Sequence, residues 1–246
     1  MQQINIYFGG PKAKQIIEEG LTIGGEPIRR VEGTKFLGVW VDEALKWTAH
    51  IGNVKTKVNQ LVGVIGRTKS VLGRTSLSSL YNGLVLPHLQ YCLIVWGDFE
   101  GCKNSTIGKN LLASQKKFAR MIAGKKGRTH SDPAFFDISM LKIGDLYRQQ
   151  LRVHAWHFWN GLLPENQTKF FVRTSEVHSY STRRAENGMA LSSRDQVSIA
   201  YRVPKEWSLL PEGFRKVKSL AAFKRQSKAQ LLRAYGDFRC GERGLR

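Results

Sequence analysis

The chain has 246 residues, of which 39 are Lys or Arg and 19 Asp or Glu, giving a formal net charge of +20. With 41% hydrophobic and 10% aromatic residues it can bury a sizeable core, which excludes a compositionally disordered chain. Its longest apolar candidate, residues 84–95, is interrupted by Pro87, His88 and Gln90 and falls short of the ~18 residues that span a bilayer, which excludes a transmembrane protein.

The N-terminal residues lack the charged flank, apolar stretch and cleavage site of a signal peptide, so cytoplasm or nucleus is the expected compartment. In chain order, residues 4–8 read as a short strand. Leu21 to Ile28 reads as a hairpin turning at Gly24-Gly25, with Pro27 marking an edge. Lys35 to Val41 reads as a further strand. Ile51, Val54, Val58, Leu61, Ile65 and Leu72 recur at helical spacing and predict a long amphipathic helix carrying Lys55 and Lys69 on its polar face. Thr75 or Ser76 caps a second helix that Pro87 must kink or end, and that resumes at His88 and stops at Gly97.

A third helix is expected from Lys109 to Ala123, with Leu111, Leu112, Gln115, Phe118, Ala119 and Ile122 inward and Lys109, Lys116, Lys117 and Arg120 outward. A fourth begins near Asp145 and ends at Gly161. Beyond Pro164 the pattern weakens to strand-like pieces at 177–180 and 197–203, and a last helix spans Leu220 to Leu232. The fold class is therefore α+β and mainly helical: a small antiparallel sheet piece, a helical bundle and a mixed C-terminal region.

The charge is uneven. Between Ala44 and Ser131 the only acids are Asp98 and Glu100, against fourteen Lys and Arg. Solubility alone is served equally well by mixed signs, so a one-sided excess over such a window points to a polyanionic partner, nucleic acid first. Chemistry is harder to find. Asp42-Glu43 lies between strand and helix, where a cap and a first-turn acid are expected. Gly66-Arg67-Thr68-Lys69 and Gly108-Lys109-Asn110 fail the spacing of a phosphate loop. His154 and His157 stand among Trp156, Phe158 and Trp159 and read as an aromatic face rather than metal ligands. Cys92, Cys102 and Cys240 are too few and too unevenly spaced for a disulfide framework or a zinc site.

Several segments, taken together and in order, resemble a known family. Gly25-Glu26-Pro27-Ile28, then Lys35-Phe36-Leu37-Gly38-Val39 with Asp42, Leu45, Trp47, His50 and Ile51, is similar to the closing part of the polymerase region of LINE-type, jockey-like non-LTR retrotransposon reverse transcriptases. So are Leu84 to Cys92 with Val95-Trp96-Gly97, Gln115 to Arg120, Arg128-Thr129-His130, Asp145-Leu146-Tyr147, Asn160 to Pro164, His178 to Arg183, Trp207, Leu210-Pro211 and Ser219 to Lys224.

The resemblance implies that residues 1–44 are the end of a palm, 45–130 a thumb-like helical region and 131–246 a C-terminal basic region. It makes Phe36, Leu37 and Gly38 a primer-grip-like hairpin. It also implies that the family's Asp-Asp box lies upstream, so the chain is expected to be inactive alone, with no cofactor of its own and Mg2+ belonging to the missing palm. The expected partner is RNA or DNA, a template-primer duplex or the element's RNA, contacted through Lys55, Lys57, Lys69, Lys116, Lys117, Arg120, Lys125, Lys126 and Arg128. The alternative is an independent RNA-binding or chromatin-associated protein reusing this fold. A complete enzyme is the third reading, disfavoured because no carboxylate cluster is evident.

Overall fold

Among the described residues, six short strands precede the helices. The computed structural model describes residues 4–6, 22–97, 106–125, 130–177, 188–191 and 198–236. Strand β1 (Ile4–Asn5) pairs in parallel with β4 (Arg29–Arg30), while β2 (Thr22–Ile23) and β3 (Glu26–Pro27) form the expected antiparallel hairpin around Gly24-Gly25. The single strand expected over 35–41 is instead a second hairpin, β5 (Gly33–Phe36) against β6 (Val39–Asp42), with Phe36 opposite Val39 and Lys35 opposite Trp40. Period-two alternation runs through a two-residue turn without a break, so it hides the reversal at Leu37-Gly38.

Helix α1 (Thr48–Thr68) buries Ile51, Val54, Val58 and Ile65 as its spacing predicts, and Leu72 packs beyond its end. Asp42 does cap, but it caps the connecting turn: its carboxylate accepts the N–H groups of Lys46 (3.0 Å) and Trp47 (2.9 Å). Glu43 lies outside the helix and accepts three hydrogen bonds from the Arg30 guanidinium, at 2.9–3.2 Å.

Helix α2 (Arg74–Leu80) starts from an extended Gly73 rather than from Thr75 or Ser76. Pro87 neither ends nor interrupts the helical run. A π-helical turn over Tyr81–Val85 slips the hydrogen-bond register, so that Leu86 N–H reaches the Tyr81 carbonyl, and α3 (Leu86–Gln90) then carries Pro87 in its first turn, where no N–H is needed. The break comes at Cys92 (φ +51°), before α4 (Leu93–Trp96). Gly97 stops that helix for a packing reason: a Cβ there would stand 2.4 Å from the Leu93 carbonyl oxygen and 2.8 Å from the Tyr147 ring.

Helix α5 (Thr106–Ile122) is followed by α6 (Asp132–Asp137), a short helix that the spacing of apolar residues does not predict, and α7 (Ile143–Trp159). The Leu162 N–H closes α7 on the His157 carbonyl (2.8 Å), with Gly161 at φ +67°, as expected of a glycine-terminated helix. Two short helices come next, α8 (Glu165–Thr168) and α9 (Thr174–Val177). The strand expected over 197–203 is the start of helix α10 (Ile199–Ser208): Val203, Pro204 and Trp207 share a buried face, and that burial overrides the β-branched composition. Val177 closes a helix rather than opening a strand, and residues 178–180 lie outside the described ones. After α11 (Glu212–Arg215), helix α12 (Leu220–Gly236) extends past Leu232 because Tyr235 is buried, where its hydroxyl donates to Asp145 and accepts the Lys142 N–H.

The buried residues from Ile51 to Tyr235 form one continuous hydrophobic cluster. A polar residue stands inside it. Gln115 is fully buried on α5, donates to the Tyr81 hydroxyl (3.0 Å) and the Leu141 carbonyl (2.8 Å), and accepts the Ile143 N–H (2.8 Å). It therefore serves as the N-cap that α7 does not receive from its own Lys142. Among the described residues, no helix is long and apolar enough to cross a membrane.

Candidate nucleic-acid interface

Helices α1 and α5 contain seven basic residues, Lys55, Lys57, Arg67, Lys109, Lys116, Lys117 and Arg120, and no acid. Two contacts fix how they lie together. Ser114 Oγ donates to Asn59 Oδ1 (2.6 Å), and seven residues further along both helices Gly66 faces the Met121 sulfur. The helices therefore run parallel, and their carbonyl ends emerge side by side, where Arg67, Lys69 and Arg120 complement the negative ends of both dipoles.

On α5 the buried stripe of Leu111, Ser114, Gln115, Phe118, Ala119 and Ile122 leaves Lys109, Lys116, Lys117 and Arg120 on the opposite side, within about 100° of arc at 100° per residue. Lys109 and Lys117 are exposed; Lys116 and Arg120 are half-buried along their stems. Lys55 and Lys57 do not share a face, since two residues are about 200° apart on a helix. Lys55 lies on the flank that carries Asn59 toward α5, and Lys57 on the other flank, near enough to His50 to depress its pKa. Lys125 is held by Asp137 (3.0 Å) and so is partly neutralised. Lys126 and Arg128 lie outside the described residues.

The second element of the candidate interface is the tip of the β5–β6 hairpin. Phe36 and Leu37 are 65% and 74% exposed, an unusual expense of apolar surface, and Gly38 closes the turn at φ +87°. Three clamps hold the tip on the helices: the Tyr91 hydroxyl donates to the Leu37 carbonyl, Val39 is buried, and the Trp40 N–H donates to His50 Nδ1 (3.4 Å). His50 is itself buried, edge-on to Trp96 at 5.1 Å between ring centres. Burial and, secondarily, the Lys57 charge hold its pKa below the ordinary histidine value. The positive φ of Gly38 is what the turn asks of a glycine, while a Cβ there would stand in ordinary contact with the Tyr91 ring at 3.4 Å.

Sequence reasoning missed Tyr91, whose hydroxyl reaches across 54 residues, and it left Lys109 and Arg67 out of the expected contacts although they belong to the same two helices. His154 and His157 behave as expected of an aromatic face: His154 packs edge-on to Phe171 and His157 to Trp156, and burial lowers the pKa of both. Among the described residues, no group of three or more His, Cys, Asp or Glu side chains is placed to hold a metal ion.

No protein-family model matches the chain, and no solved structure matches it significantly. Two curated proteins of Drosophila melanogaster are similar to parts of it. The probable RNA-directed DNA polymerase from transposon X-element is 23% identical over 122 residues, 48% of this chain and 13% of that protein. The RNA-directed DNA polymerase from mobile element jockey is 29% identical over 147 residues, 55% of this chain and 15% of that protein. The chain is thus distantly related to retrotransposon RNA-directed DNA polymerases, and the matched segment spans about one-seventh of each.

Proposed function

We propose that this chain is the nucleic-acid-binding, thumb-side part of a retrotransposon RNA-directed DNA polymerase. In this reading the outer face of α5 and the ends of α1 and α5 hold the phosphate backbone of a template-primer duplex, and the Phe36-Leu37-Gly38 tip reaches the primer strand. The catalytic carboxylates and their Mg2+ belong to the palm of the same polymerase, and this chain contributes positioning without chemistry. The observation that carries the reading is the pair of parallel, acid-free helices with one lysine-rich outer face. Phosphate contacts of this kind fix position and supply affinity by counterion release, without reading sequence.

The test is a charge reversal on that face. Lys109→Glu, Lys116→Glu and Lys117→Glu combined should weaken binding to a primed RNA–DNA duplex by more than tenfold while leaving the melting temperature within about 2 °C, since none of the three is buried. Unchanged affinity in a folded triple variant would place the interface elsewhere.

A further inference from the structure

A cleft of about 320 Å³ opens on another part of the molecule, where α2, the π-helical turn, α3, the end of α5, the turn after α6, α7 and α12 converge. It is small but within the ~300–1,000 Å³ range of small-molecule sites. One wall is apolar, with Leu86, Ile122 and Met140. The other carries Ser78, Asn82, Ser139 and a single cation, Lys228, and none of the lining residues is acidic.

Lys228 is the unusual member. It projects from α12 into the cleft, is partly buried, and has no hydrogen-bond or ion-pair partner among the described residues. Burial lowers its pKa, which measures how poorly the site solvates an ammonium group left to itself. Two backbone irregularities border the same space: the π-helical turn that presents Tyr81 and Asn82, and Ser139 at φ +52°. Both are features that chains retain at functional positions more often than elsewhere.

We propose that this cleft binds a nucleoside 5′-phosphate, as a free nucleotide or as the phosphorylated end of a strand, with the phosphate on Lys228 and the base between the apolar wall and Asn82. An anion supplies the partner that Lys228 lacks, and the Ser78 and Ser139 hydroxyls add donors for phosphate oxygens. The Asn82 amide offers one donor and one acceptor, the pairing a base edge requires. Leu86, Ile122 and Met140 give the ring an apolar face. The site is separate from the lysine-rich face of α5 and does not depend on it.

Calorimetric titration of the full chain with AMP tests this, with adenosine and inorganic phosphate as the separate halves. AMP should bind at least tenfold more tightly than either. Lys228→Met should cut AMP affinity at least tenfold and at the same time raise the melting temperature of the unliganded protein, because it removes a poorly solvated, unpartnered charge. Asn82→Trp, at an exposed position, should block AMP without changing stability. The Lys109, Lys116 and Lys117 triple glutamate variant should bind AMP as the unaltered chain does. A 5′-phosphorylated tetranucleotide that displaces AMP, where its 5′-hydroxyl counterpart does not, assigns the site to strand ends; failure of both to compete assigns it to free nucleotide. Equal affinity for AMP and adenosine would overturn the proposal. So would a loss in the triple variant as large as that in Lys228→Met, since binding would then be diffuse attraction to a +20 chain.

Discussion

Replacing Gln115 with Leu removes one side chain and strands three buried groups at once. The Ile143 N–H loses its acceptor, and the Leu141 carbonyl and the Tyr81 hydroxyl lose their donor, all of them at 2.8–3.0 Å in the intact protein. A buried polar group left without a partner costs about 1–3 kcal/mol. Three of them cost about 3–9 kcal/mol, and the ~1–2 kcal/mol that a buried Leu recovers over an amide leaves a net loss of about 1–8 kcal/mol.

At about 2–4 °C per kcal/mol for a chain of this size, a loss in the middle of that range, about 4 kcal/mol, is a fall of roughly 8–16 °C in melting temperature. Urea unfolding followed by far-ultraviolet circular dichroism measures it, and the cost should fall on the midpoint with little change in slope. Gln115→Glu adds a second signature. A carboxylate cannot donate to the Leu141 carbonyl and is costly to bury, so this variant should be less stable at pH 7 than at pH 5, once the common effect of pH on the unaltered chain is subtracted. If Gln115→Leu unfolded within 0.5 kcal/mol of the original, Gln115 would not be the cap of α7, and the tie between the basic helix and the rest of the core would have to be sought elsewhere.

Two further outcomes concern the turn of the hairpin and the histidines whose pKa burial lowers. Gly38→Val should lower stability by about 1–2 kcal/mol, because a β-branched residue is strained at φ +87°, whereas Gly38→Asn should cost less than half as much; equal melting temperatures for the two would refute the turn argument. His50, His154 and His157 have pKa values held below the ordinary 6.5, so the unfolded chain binds more protons and stability should fall as pH drops from about 6.5 toward 5. His50→Gln should flatten part of that slope in urea midpoints taken at pH 7.0 and 5.5, and an unchanged slope would mean that folding does not lower the His50 pKa.

Helices were legible in the sequence wherever one face is apolar over three or more turns. Ile51 to Ile65 and Leu111 to Ile122 are buried where their spacing places them. The misreadings have two causes, partners distant in sequence and local geometry that a simple period does not reveal. Residues 197–203 carry strand-forming side chains, yet Val203 and Trp207 are helical because α7 offers them a surface to pack on, which no local pattern reveals. Pro87 reads as an obstacle because its effect on an α-helix is local, while the remedy, a π-turn just before it, is invisible to a 3.6-residue period. In the candidate interface the outward lysines of α5 follow from periodicity alone. The parallel packing of α1 on α5, which brings their basic ends together, required coordinates, whereas the separation of Lys55 from Lys57 follows from helical spacing alone.

The salt dependence of binding tests the central claim most directly. With the intact chain and a short primed RNA–DNA duplex, affinity measured by fluorescence anisotropy between about 50 and 200 mM NaCl should fall with a log-log slope on the order of −4 to −7, the range for ~5–8 neutralised phosphates. The triple glutamate variant should lose roughly three units of that slope. A slope near zero for the intact chain would contradict the account, because the basic excess on α1 and α5 would then not face nucleic acid.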